Sequence, residues 1–410
     1  ELQSSLGNFR PDWTALTGSV FLQPLGAVGD TIFFVRRRLN LPGVQVGAIS
    51  MKRPELIWET NLAVPPVGEP RVGSSDNVEL VTALGSLMEV PAAAFDGRAT
   101  LDRPIAAMES SDAKSAVESV VWMDDGAVVL SMPPGSGELS VFVPQRSPKR
   151  FGPVVLGDPL AAAPVAMAGG IVVPGQRGQV VLLDPRTGAG MIDSRTRQRI
   201  EPFQTPLAAG RKVAWRRPVM VDEETVVLAD GADKVYLLTL KDQPTRHVAS
   251  AAEATLASPM TSDAAVVGDV VYLVDAEEQL QRLRLPDLKA DSPLPLGARA
   301  AWGPRRAGRH VFIATEDDKL VCLDGDGNQA WDVIMAHGAL AGAPLPVGED
   351  YLFAYADGIV TRVEGASGKE LARIETGHPL GAGPILLGSK VLLAGSDGTL
   401  YLSDPPSNSN

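Results

Sequence analysis

The hydrophobic residues of this chain are grouped in short runs that are separated by turns rich in glycine, proline and aspartate. Residues 341–374 show the unit most clearly, because two apolar runs flank Asp357 and Gly358, a dipeptide that favours a tight turn between antiparallel strands. A strand that carries Pro344 precedes these runs, and a further strand begins near Leu371. The pattern predicts four short antiparallel strands without a helix.

The same unit recurs along the whole chain. Each repeat has an anchor residue before its first apolar run, and the anchors are Pro24, Pro70, Ser119, Pro164, Pro218, Pro259, Pro304, Pro344 and Pro384. Their mean spacing is 45 residues, from 360 residues over eight intervals, and single intervals range from 40 to 54. Four strands per unit at this period are typical of a β-propeller. We therefore predict an all-β fold, a single closed β-propeller of four-stranded blades, nine by the count of anchors and eight if the third unit is an elaborated loop.

A ring of blades needs a closing contact between its first and last units. The ninth unit ends at Leu402 without a fourth strand, and residues 10–16 resemble the fourth strands that carry Trp58 and Trp331. We predict that this N-terminal segment, around Trp13, pairs with the last blade, because closure buries an otherwise open sheet edge. The expected division is an N-terminal segment with the closing strand at 1–18, a propeller at 19–404 and a C-terminal tail at 405–410.

The composition fits a large folded chain without a membrane-spanning helix. Of the 410 residues, 45% are hydrophobic and 21% are charged, which supports an extensive core. No apolar run reaches the roughly eighteen residues that a spanning helix needs. Because the chain starts with Glu1 and not with methionine, a signal peptide or an anchor upstream of it is compatible with this sequence.

Charge and cysteine content narrow the classes of partner and site. The formal net charge of −12 argues against a nucleic-acid binder, because phosphate binding relies on concentrated lysine and arginine. Cys322 is the only cysteine, so the chain can form neither an intrachain disulfide nor a cysteine-based metal site.

A consensus emerges when the units are compared: Gly-x-Val-Tyr-Leu, a short turn, Gly-x-Val-x-x-Leu-Asp, then Thr-Gly and a strand that contains tryptophan. Its clearest instances are residues 268–272, 178–188 and 324–331. This consensus resembles the pyrroloquinoline-quinone-like repeat, which occurs in quinoprotein dehydrogenases and in non-catalytic propellers such as the BamB family of the outer-membrane β-barrel assembly machinery. The resemblance extends over nearly the entire chain, but it implies a blade and not a function.

A quinoprotein dehydrogenase would, by that resemblance, hold its cofactor over the central channel with a calcium ion, a catalytic aspartate, a tryptophan floor and often two adjacent cysteines. This chain has no adjacent cysteines. Trp13, Trp58 and Trp331 fall on outer strands, where packing between blades explains them. Trp122, Trp215 and Trp302 lie near anchors and could approach the channel, although packing is again the favoured interpretation.

Metal and catalytic motifs are equally sparse. Residues 324–328 resemble the start of a calcium loop, but Gln329 stands where that loop requires glycine, so a hairpin turn is favoured. The four histidines, His247, His310, His337 and His378, show no metal-ligand spacing. We predict no catalytic residues, no bound pyrroloquinoline quinone or other cofactor, and no structural metal.

Basic residues beside the anchors are the most suggestive feature, because the first strand of each blade lines the channel of a propeller. They are Arg71, Arg216, Arg217, Arg305 and Arg306. They could form a positive ring for an anionic group or a partner. We expect instead that at least two of them form salt bridges within the protein and that no deep anion site exists. Arg36, Arg37 and Arg38, at the end of a strand, are interpreted as a solvated loop.

The function that these observations favour is a non-catalytic scaffold that binds another protein through its loop faces or rim. We expect a monomer located in the periplasm or cell envelope of a bacterium, because the resemblance is to exported bacterial propellers. The alternative is a quinoprotein-type oxidoreductase, or another enzyme, that binds a small ligand in the channel.

Overall fold

A computed structural model describes most of the chain in segments separated by gaps. The described residues are 16, 19–21, 26–28, 30–38, 43–50, 52, 55–68, 70–72, 77–91, 104–108, 116–147, 149–187, 202–206, 211–243, 246–396 and 400–407. They form 37 β-strands and no helix. The described segments therefore contain no helix of the length and apolar character needed to cross a bilayer.

The strands fall into nine antiparallel sheets, which we number in chain order. Sheet 1 consists of β1 (Ser19–Phe21), β2 (Gly26–Val28), β3 (Thr31–Arg38), β4 (Val44–Ser50) and β5 (Leu56–Ala63). Sheet 2 consists of β6 (Arg71–Val72), β7 (Val78–Val81), β8 (Ser86–Val90) and β9 (Ala106–Ala107). Sheet 3 consists of β10 (Ser119–Trp122), β11 (Val128–Ser131), β12 (Glu138–Phe142) and β13 (Phe151–Val155). Sheet 4 consists of β14 (Val165–Met167), β15 (Gly170–Pro174), β16 (Gln179–Leu183) and β17 (Phe203–Gln204).

The second half of the chain continues the series. Sheet 5 consists of β18 (Val219–Met220), β19 (Thr225–Ala229), β20 (Lys234–Lys241) and β21 (His247–Thr255). Sheet 6 consists of β22 (Ala265–Val267), β23 (Val270–Val274), β24 (Gln279–Arg284), β25 (Lys289–Ala290) and β26 (Leu294–Pro295). Sheet 7 consists of β27 (Ala300–Ala307), β28 (His310–Thr315), β29 (Lys319–Leu323) and β30 (Gln329–Ile334). Sheet 8 consists of β31 (Leu345–Val347), β32 (Asp350–Ala354), β33 (Ile359–Val363) and β34 (Glu370–Glu375), and sheet 9 of β35 (Leu380–Leu387), β36 (Lys390–Gly395) and β37 (Leu400–Ser403).

The all-β prediction and the count of nine repeat units are confirmed by these sheets. The third unit, which could have been an elaborated loop, is a regular sheet in the order β10-β11-β12-β13. Two sheets divide one of their four positions between two strands: β1 and β2 both pair with β3, and β25 and β26 both pair with β24. Within the described residues, sheet 9 has three strands.

The continuous apolar runs of the sequence are explained by burial on both faces of each sheet. In β23 and β28 every residue is buried, because neighbouring sheets cover both faces. Outer strands such as β30 have only part of their side chains buried. Tyr272 and Phe312, among the largest fully buried side chains, lie on these two strands. Burial of each such aromatic side chain contributes about 1.5–3 kcal/mol to the free energy of unfolding.

Apolar clusters between successive sheets show which units form the ring. One face of sheet 2 packs on sheet 3, where Val81 and Leu87 meet Leu130. The other face of sheet 2 packs on sheet 9, where Leu80 and Leu392 belong to one buried cluster. The remaining six clusters join sheets 3 and 4 and every later neighbouring pair up to sheets 8 and 9. Sheets 2 to 9 therefore close an eight-membered ring.

Sheet 1 contributes no described residue to these eight clusters. The alternative count of eight thus describes the ring, but the unit outside it is the first and not the third. Within sheet 1 the guanidinium of Arg36 lies 2.6 Å from a carboxylate oxygen of Glu59, and Arg38 binds the other oxygen at 2.5 Å. The interpretation of residues 36–38 as a solvated loop is wrong, because they belong to β3 and Arg36 is buried.

Trp331 shows how one sheet of the ring is fastened to the next. Its indole is buried, and its Nε1–H donates a 2.9 Å hydrogen bond to the carbonyl oxygen of Gly365 in sheet 8. The indole of Trp331 lies against Gly368, where an added Cβ atom would be 2.6 Å from it. The glycine that the repeat places in this turn is therefore required by the tryptophan of the preceding unit.

The isolated bridges between strands fix the position of the anchor in the repeats that have one. In sheet 8 an isolated bridge starts at Leu340, and the anchor Pro344 lies four residues later. In sheet 6 the equivalent bridge starts at Met260, so the equivalent anchor is Ala264, and the choice of Pro259 was wrong.

The predicted closing strand, residues 10–16, lies outside the described residues except for its last residue, and its pairing with sheet 9 stays a prediction.

Candidate functional site

The inner strands of the ring surround a central channel of about 740 Å³. All eight sheets of the ring contribute to its wall, with Gly68, Trp122, Val165, Arg217, Asp263, Trp302, Gly342 and Gly383 as one lining residue from each. Described residues of sheet 1 are not among those that line it. A second cavity of about 590 Å³ lies between sheets 3, 4 and 5 and shares Glu118, Ser119, Arg217 and Asp263 with the channel.

Sheets 8 and 9 differ from sheets 5 and 7 in the residues that they contribute to the channel wall. Sheets 8 and 9 approach so closely that a Cβ on Gly342 would lie 2.3 Å from the backbone nitrogen of Gly383. These sheets therefore line the channel with small residues and bare backbone. Sheets 5 and 7 instead contribute Arg217, Arg305 and Arg306, so the charge of the channel is concentrated on one side.

Arg71 does not line either cavity. Its Nε lies 3.3 Å from a carboxylate oxygen of Glu79, and its guanidinium lies 5.5 Å from the ring centre of Trp122 in sheet 3. Its Nη1 also contacts the carbonyl oxygen of Met123 at 3.5 Å. The ion pair lies within sheet 2, and the cation–π contact and the carbonyl contact join sheet 2 to sheet 3.

Arg216 is likewise held by a neighbouring sheet. Its Nε and Nη2 donate hydrogen bonds of 3.0 and 2.7 Å to the same carbonyl oxygen, that of Met260. The contact ties sheet 5 to the loop that enters sheet 6. Because two donors of the guanidinium fork are used by the protein itself, we assign Arg216 a structural role, although it borders the smaller cavity.

Arg217 and Arg305 have a different environment. The backbone N–H of Arg217 donates a 2.9 Å hydrogen bond to Asp263, but within the described residues its guanidinium has no hydrogen-bond or ion-pair partner. The same holds for the guanidinium of Arg305. Burial lowers the pKa of Arg217, the positive charge of Arg305 lowers it further, and the carboxylate of Asp263 opposes both effects. The two guanidinium groups, which both line the channel, therefore repel each other.

Arg306 completes the group on sheet 7. Its Nε donates a 3.0 Å hydrogen bond to the carbonyl oxygen of Gly308, and the residue is exposed in the channel wall. Of the five predicted arginines, Arg71 is the one that has a carboxylate within ion-pair distance among the described residues. Within the described residues one such salt bridge is found, and the expectation of at least two stays a prediction. Arg216 and Arg306 instead donate to backbone carbonyl oxygens, those of Met260 and of Gly308.

Two acidic residues of the channel were missed. Asp263 directly precedes Ala264, the residue equivalent to the anchors, as Arg217 directly precedes Pro218. The misplaced anchor of the sixth unit concealed this signal. Glu118 lines both cavities, and burial raises the pKa of its carboxyl group. Its position before the anchor Ser119 follows the same rule.

The tryptophans near the anchors divide into two kinds. Trp122 and Trp302 line the channel and are partly buried, as their positions suggested. Trp215 is buried at the edge of the smaller cavity, and its Nε1–H donates a 3.0 Å hydrogen bond to the carbonyl oxygen of Gly175 in sheet 4. Trp215 therefore serves packing between sheets.

The calcium-like segment of sheet 7 is a hairpin turn. The side chain of Asp324 accepts hydrogen bonds of 3.0 and 2.8 Å from the backbone N–H groups of Asp326 and Asn328. Three of the histidines each have a partner of their own: His310 contacts the Tyr351 hydroxyl at 2.5 Å, His337 contacts Glu370 at 3.2 Å, and His378 stacks on Tyr401. Across the described segments, no three His, Cys, Asp or Glu side chains are grouped to hold a metal ion.

The arrangement defines the chain as a β-propeller with a partly basic channel, and comparisons with known proteins agree with that class. Residues 287–407, which span the last two strands of sheet 6 and sheets 7 to 9, match a family model described as outer membrane protein assembly factor BamB. The resemblance to pyrroloquinoline-quinone-like and BamB-like propellers is thereby confirmed. No curated protein matches the chain.

Solved structures with the same fold include several propellers at low sequence identity. BamB from Moraxella catarrhalis is 14% identical with a TM-score of 0.58, and the match covers 85% of this chain and 98% of that chain. The C-terminal WD40 domain of Sif2 is 11% identical with a TM-score of 0.58, covering 84% and 97%. Apo AztD from Citrobacter koseri is 12% identical with a TM-score of 0.53, covering 90% and 99%. Identities this low show a shared fold alone. The match to BamB leaves 15% of this chain uncovered, a share equal in size to the segment up to the end of sheet 1.

Proposed function

We propose that the protein is a non-catalytic β-propeller scaffold that binds another protein in the bacterial cell envelope. The observation that carries this proposal is the exposed apolar strand β5, in the sheet that lies outside the clusters of the ring. Among the described residues, eight large hydrophobic side chains are exposed, and Val20, Phe33, Leu56, Ile57 and Trp58 belong to sheet 1. A concentration of exposed apolar side chains in one element marks an interaction surface more often than a scatter of single residues does.

Strand β5 also offers a backbone edge. It is the terminal strand in the order β1-β3-β4-β5, and no described strand pairs with its outer edge. Ile57 is the extra residue of a β-bulge, because Trp58 pairs with Ala48 while Leu56 pairs with the next residue, Ile49. Leu56 and Trp58 therefore point to opposite faces of the strand. A partner with an extended apolar segment could add a strand to this edge and cover the side chains at the same time. We therefore assign an extended protein segment as the occupant.

The ring gives this surface a rigid support. Buried clusters join every pair of neighbouring sheets from 2 to 9, so the ring can present its loops and the attached sheet with little rearrangement. The similarity to a family described as outer membrane protein assembly factor BamB supports an envelope setting, and we expect the protein to act there as a monomer that is exported to the periplasm.

Site-specific photo-crosslinking in the native host tests the proposal. A photo-reactive amino acid is placed at Trp58 and, as the matched control, at Ile334, which is 70% exposed on the outer strand of sheet 7. We expect one discrete adduct with a partner protein from position 58 and none from position 334. The adduct from position 58 should disappear when Ile57→Lys is added. Equal adducts from both positions, or none from position 58, would contradict a partner at β5. Release of the protein with the periplasmic fraction tests the location.

A further inference from the structure

We propose that the channel of the ring binds a small anion that carries carboxylate or phosphate groups, and that Arg217 and Arg305 hold it with the support of Arg306. The proposal concerns a different surface from β5 and does not rest on the scaffold function.

The first argument is the sign of the charge in the channel. The two adjoining cavities are lined by five cationic residues, Lys212, Arg216, Arg217, Arg305 and Arg306, against the carboxylates Glu118 and Asp263. The whole chain carries a net charge of −12. The cavities therefore have an excess of positive charge although the protein as a whole is negatively charged. A concave region with an excess of one sign of charge favours ions of the opposite sign.

The second argument is the contrast between satisfied and unsatisfied arginines in the same protein. The guanidinium of Arg71 pairs with the carboxylate of Glu79 in its own sheet, and that of Arg216 donates to the carbonyl of Met260 in the loop that enters sheet 6. Arg217 and Arg305 line the channel without such a partner among the described residues, although each guanidinium carries five N–H donors. Donors of this kind, fixed beside a cavity, match the geometry of carboxylate and phosphate oxygens.

The third argument is the cost of the arrangement. Arg217 and Arg305 are close enough for the charge of one to lower the pKa of the other, and Arg217 is also partly buried. Asp263 lies beside them, but its Oδ1 accepts the backbone N–H of Arg217 and makes no ion pair with either guanidinium. The carboxylate of Asp263 thus offsets the repulsion only in part among the described residues, and a local conflict of this kind is expected at functional sites.

The remaining wall fits a small ligand. The volume of about 740 Å³ lies within the range of small-molecule pockets, roughly 300–1,000 Å³. Trp122 and Trp302 supply partly buried apolar surface, and the small residues of sheets 8 and 9, Gly342 and Gly383 among them, leave room opposite the arginines. The anion would accordingly lie on the side of sheets 5 to 7.

Binding is measured on the full chain at low ionic strength by calorimetry and by thermal denaturation. The probes are inorganic phosphate, citrate and a hexaglutamate peptide, so that phosphate, small carboxylate and acidic peptide are distinguished. We expect saturable binding of at least one probe and a rise in the melting temperature of the wild type with probe concentration. The double variant Arg217→Gln/Arg305→Gln should bind at least about tenfold more weakly, because two charge-assisted contacts are lost. The control is Arg309→Gln, because Arg309 is exposed in the turn between β27 and β28, pairs with Glu349 of sheet 8 and lines neither cavity. This variant should bind like the wild type.

A second readout separates a ligand site from a structural role. Without any probe, Arg305→Gln should melt at the same temperature as the wild type or higher, because the repulsion with Arg217 is relieved. A melting temperature that falls in this variant would assign Arg305 to the support of the fold and overturn the proposal. The absence of saturable binding of all three probes to the wild type, or equal binding to the double variant, would overturn it as well. Either failure leaves the crosslinking test of β5 unaffected.

Discussion

Trp331 and Trp58 occupy the same place in two repeat units, the fourth strand of sheet 7 and that of sheet 1, and their surroundings are opposite. Trp331 is 8% exposed, and sheet 8 offers it a carbonyl oxygen on Gly365 and a flat surface on Gly368. Trp58 is 44% exposed, with Leu56 and Ile57 beside it also exposed. The same residue type at the same point of the repeat is thus a core residue in one unit and a surface residue in the other.

The difference teaches that the repeat motif encodes a blade and leaves open what the blade packs against. A tryptophan on an outer strand becomes buried when the next sheet of the ring brings its glycine turn against it. Sheet 2 follows sheet 1 in the chain, but its two faces are taken by sheets 3 and 9. Sheet 1 therefore keeps an apolar strand exposed, and this is the strand that we propose as a partner surface.

The largest effect should come from removing the buried indole. Trp331→Ala leaves a cavity between sheets 7 and 8 and an unpaired carbonyl on Gly365, so we expect a loss of about 3–5 kcal/mol in the free energy of unfolding. Trp58→Ala, the matched change at an exposed position, should stay within about 0.5 kcal/mol. Chemical denaturation of both variants is the measurement. Comparable losses in the two variants would show that sheet 1 is packed as a member of the ring is.

The glycine turn of sheet 8 tests the other half of the contact. Gly368 has a φ of +75°, and a Cβ there would meet the indole of Trp331 at 2.6 Å. We expect Gly368→Ala to cost about 1–2 kcal/mol for the backbone conformation and about 1–3 kcal/mol more for the clash. Gly348→Ala provides the control, because Gly348 has a φ of +63° with open space around it and should show the backbone cost alone. Equal losses from the two changes would mean that the indole moves aside without cost.

Trp13 can be assigned to one of the two kinds of tryptophan by the same measurement. If residues 10–16 complete sheet 9 as predicted, Trp13→Ala should lower the free energy of unfolding by about 1.5–3 kcal/mol, the contribution of one buried large side chain. Deletion of residues 1–18 should lower it by at least as much. A change within about 0.5 kcal/mol for Trp13→Ala would place this residue with Trp58 and contradict the closing strand.

The smallest effect concerns the pH dependence of the contact between sheets 7 and 8. Burial lowers the pKa of His310, which contacts the hydroxyl of Tyr351, below its ordinary value of 6.5. The folded state therefore favours neutral His310, whose contribution to stability is fully present above pH 6.5 and decreases as the pH falls below that value. We expect the wild type to lose more stability from about pH 7.5 to about pH 5.5 than His310→Gln does. The control His378→Gln, which retains His310, should keep the wild-type slope, and a wild-type slope in His310→Gln would assign the pH dependence elsewhere.

The sequence alone determined the local structure of this protein. Apolar runs bounded by glycine, proline and aspartate specify strands and hairpins through neighbouring residues, as in the turn at Asp357 and Gly358 between β32 and β33. The repeat of these units at a period of about 45 residues specified the propeller class, because four strands of this length form one sheet that must bury both faces. Even the third unit, with the weakest anchor, followed its local pattern.

Only the tertiary structure decided which units meet. The contact of Leu80 with the cluster around Leu392 joins residues more than three hundred positions apart, and no local pattern distinguishes it from a contact with sheet 1. The same holds for the channel. Arg216 and Arg217 are neighbours of identical chemistry, yet one guanidinium reaches the carbonyl of Met260 while the other lines the channel near Arg305. The partners of a side chain in a ring come from adjacent sheets, so their identity depends on the closure of the ring and on the register of each sheet against the next.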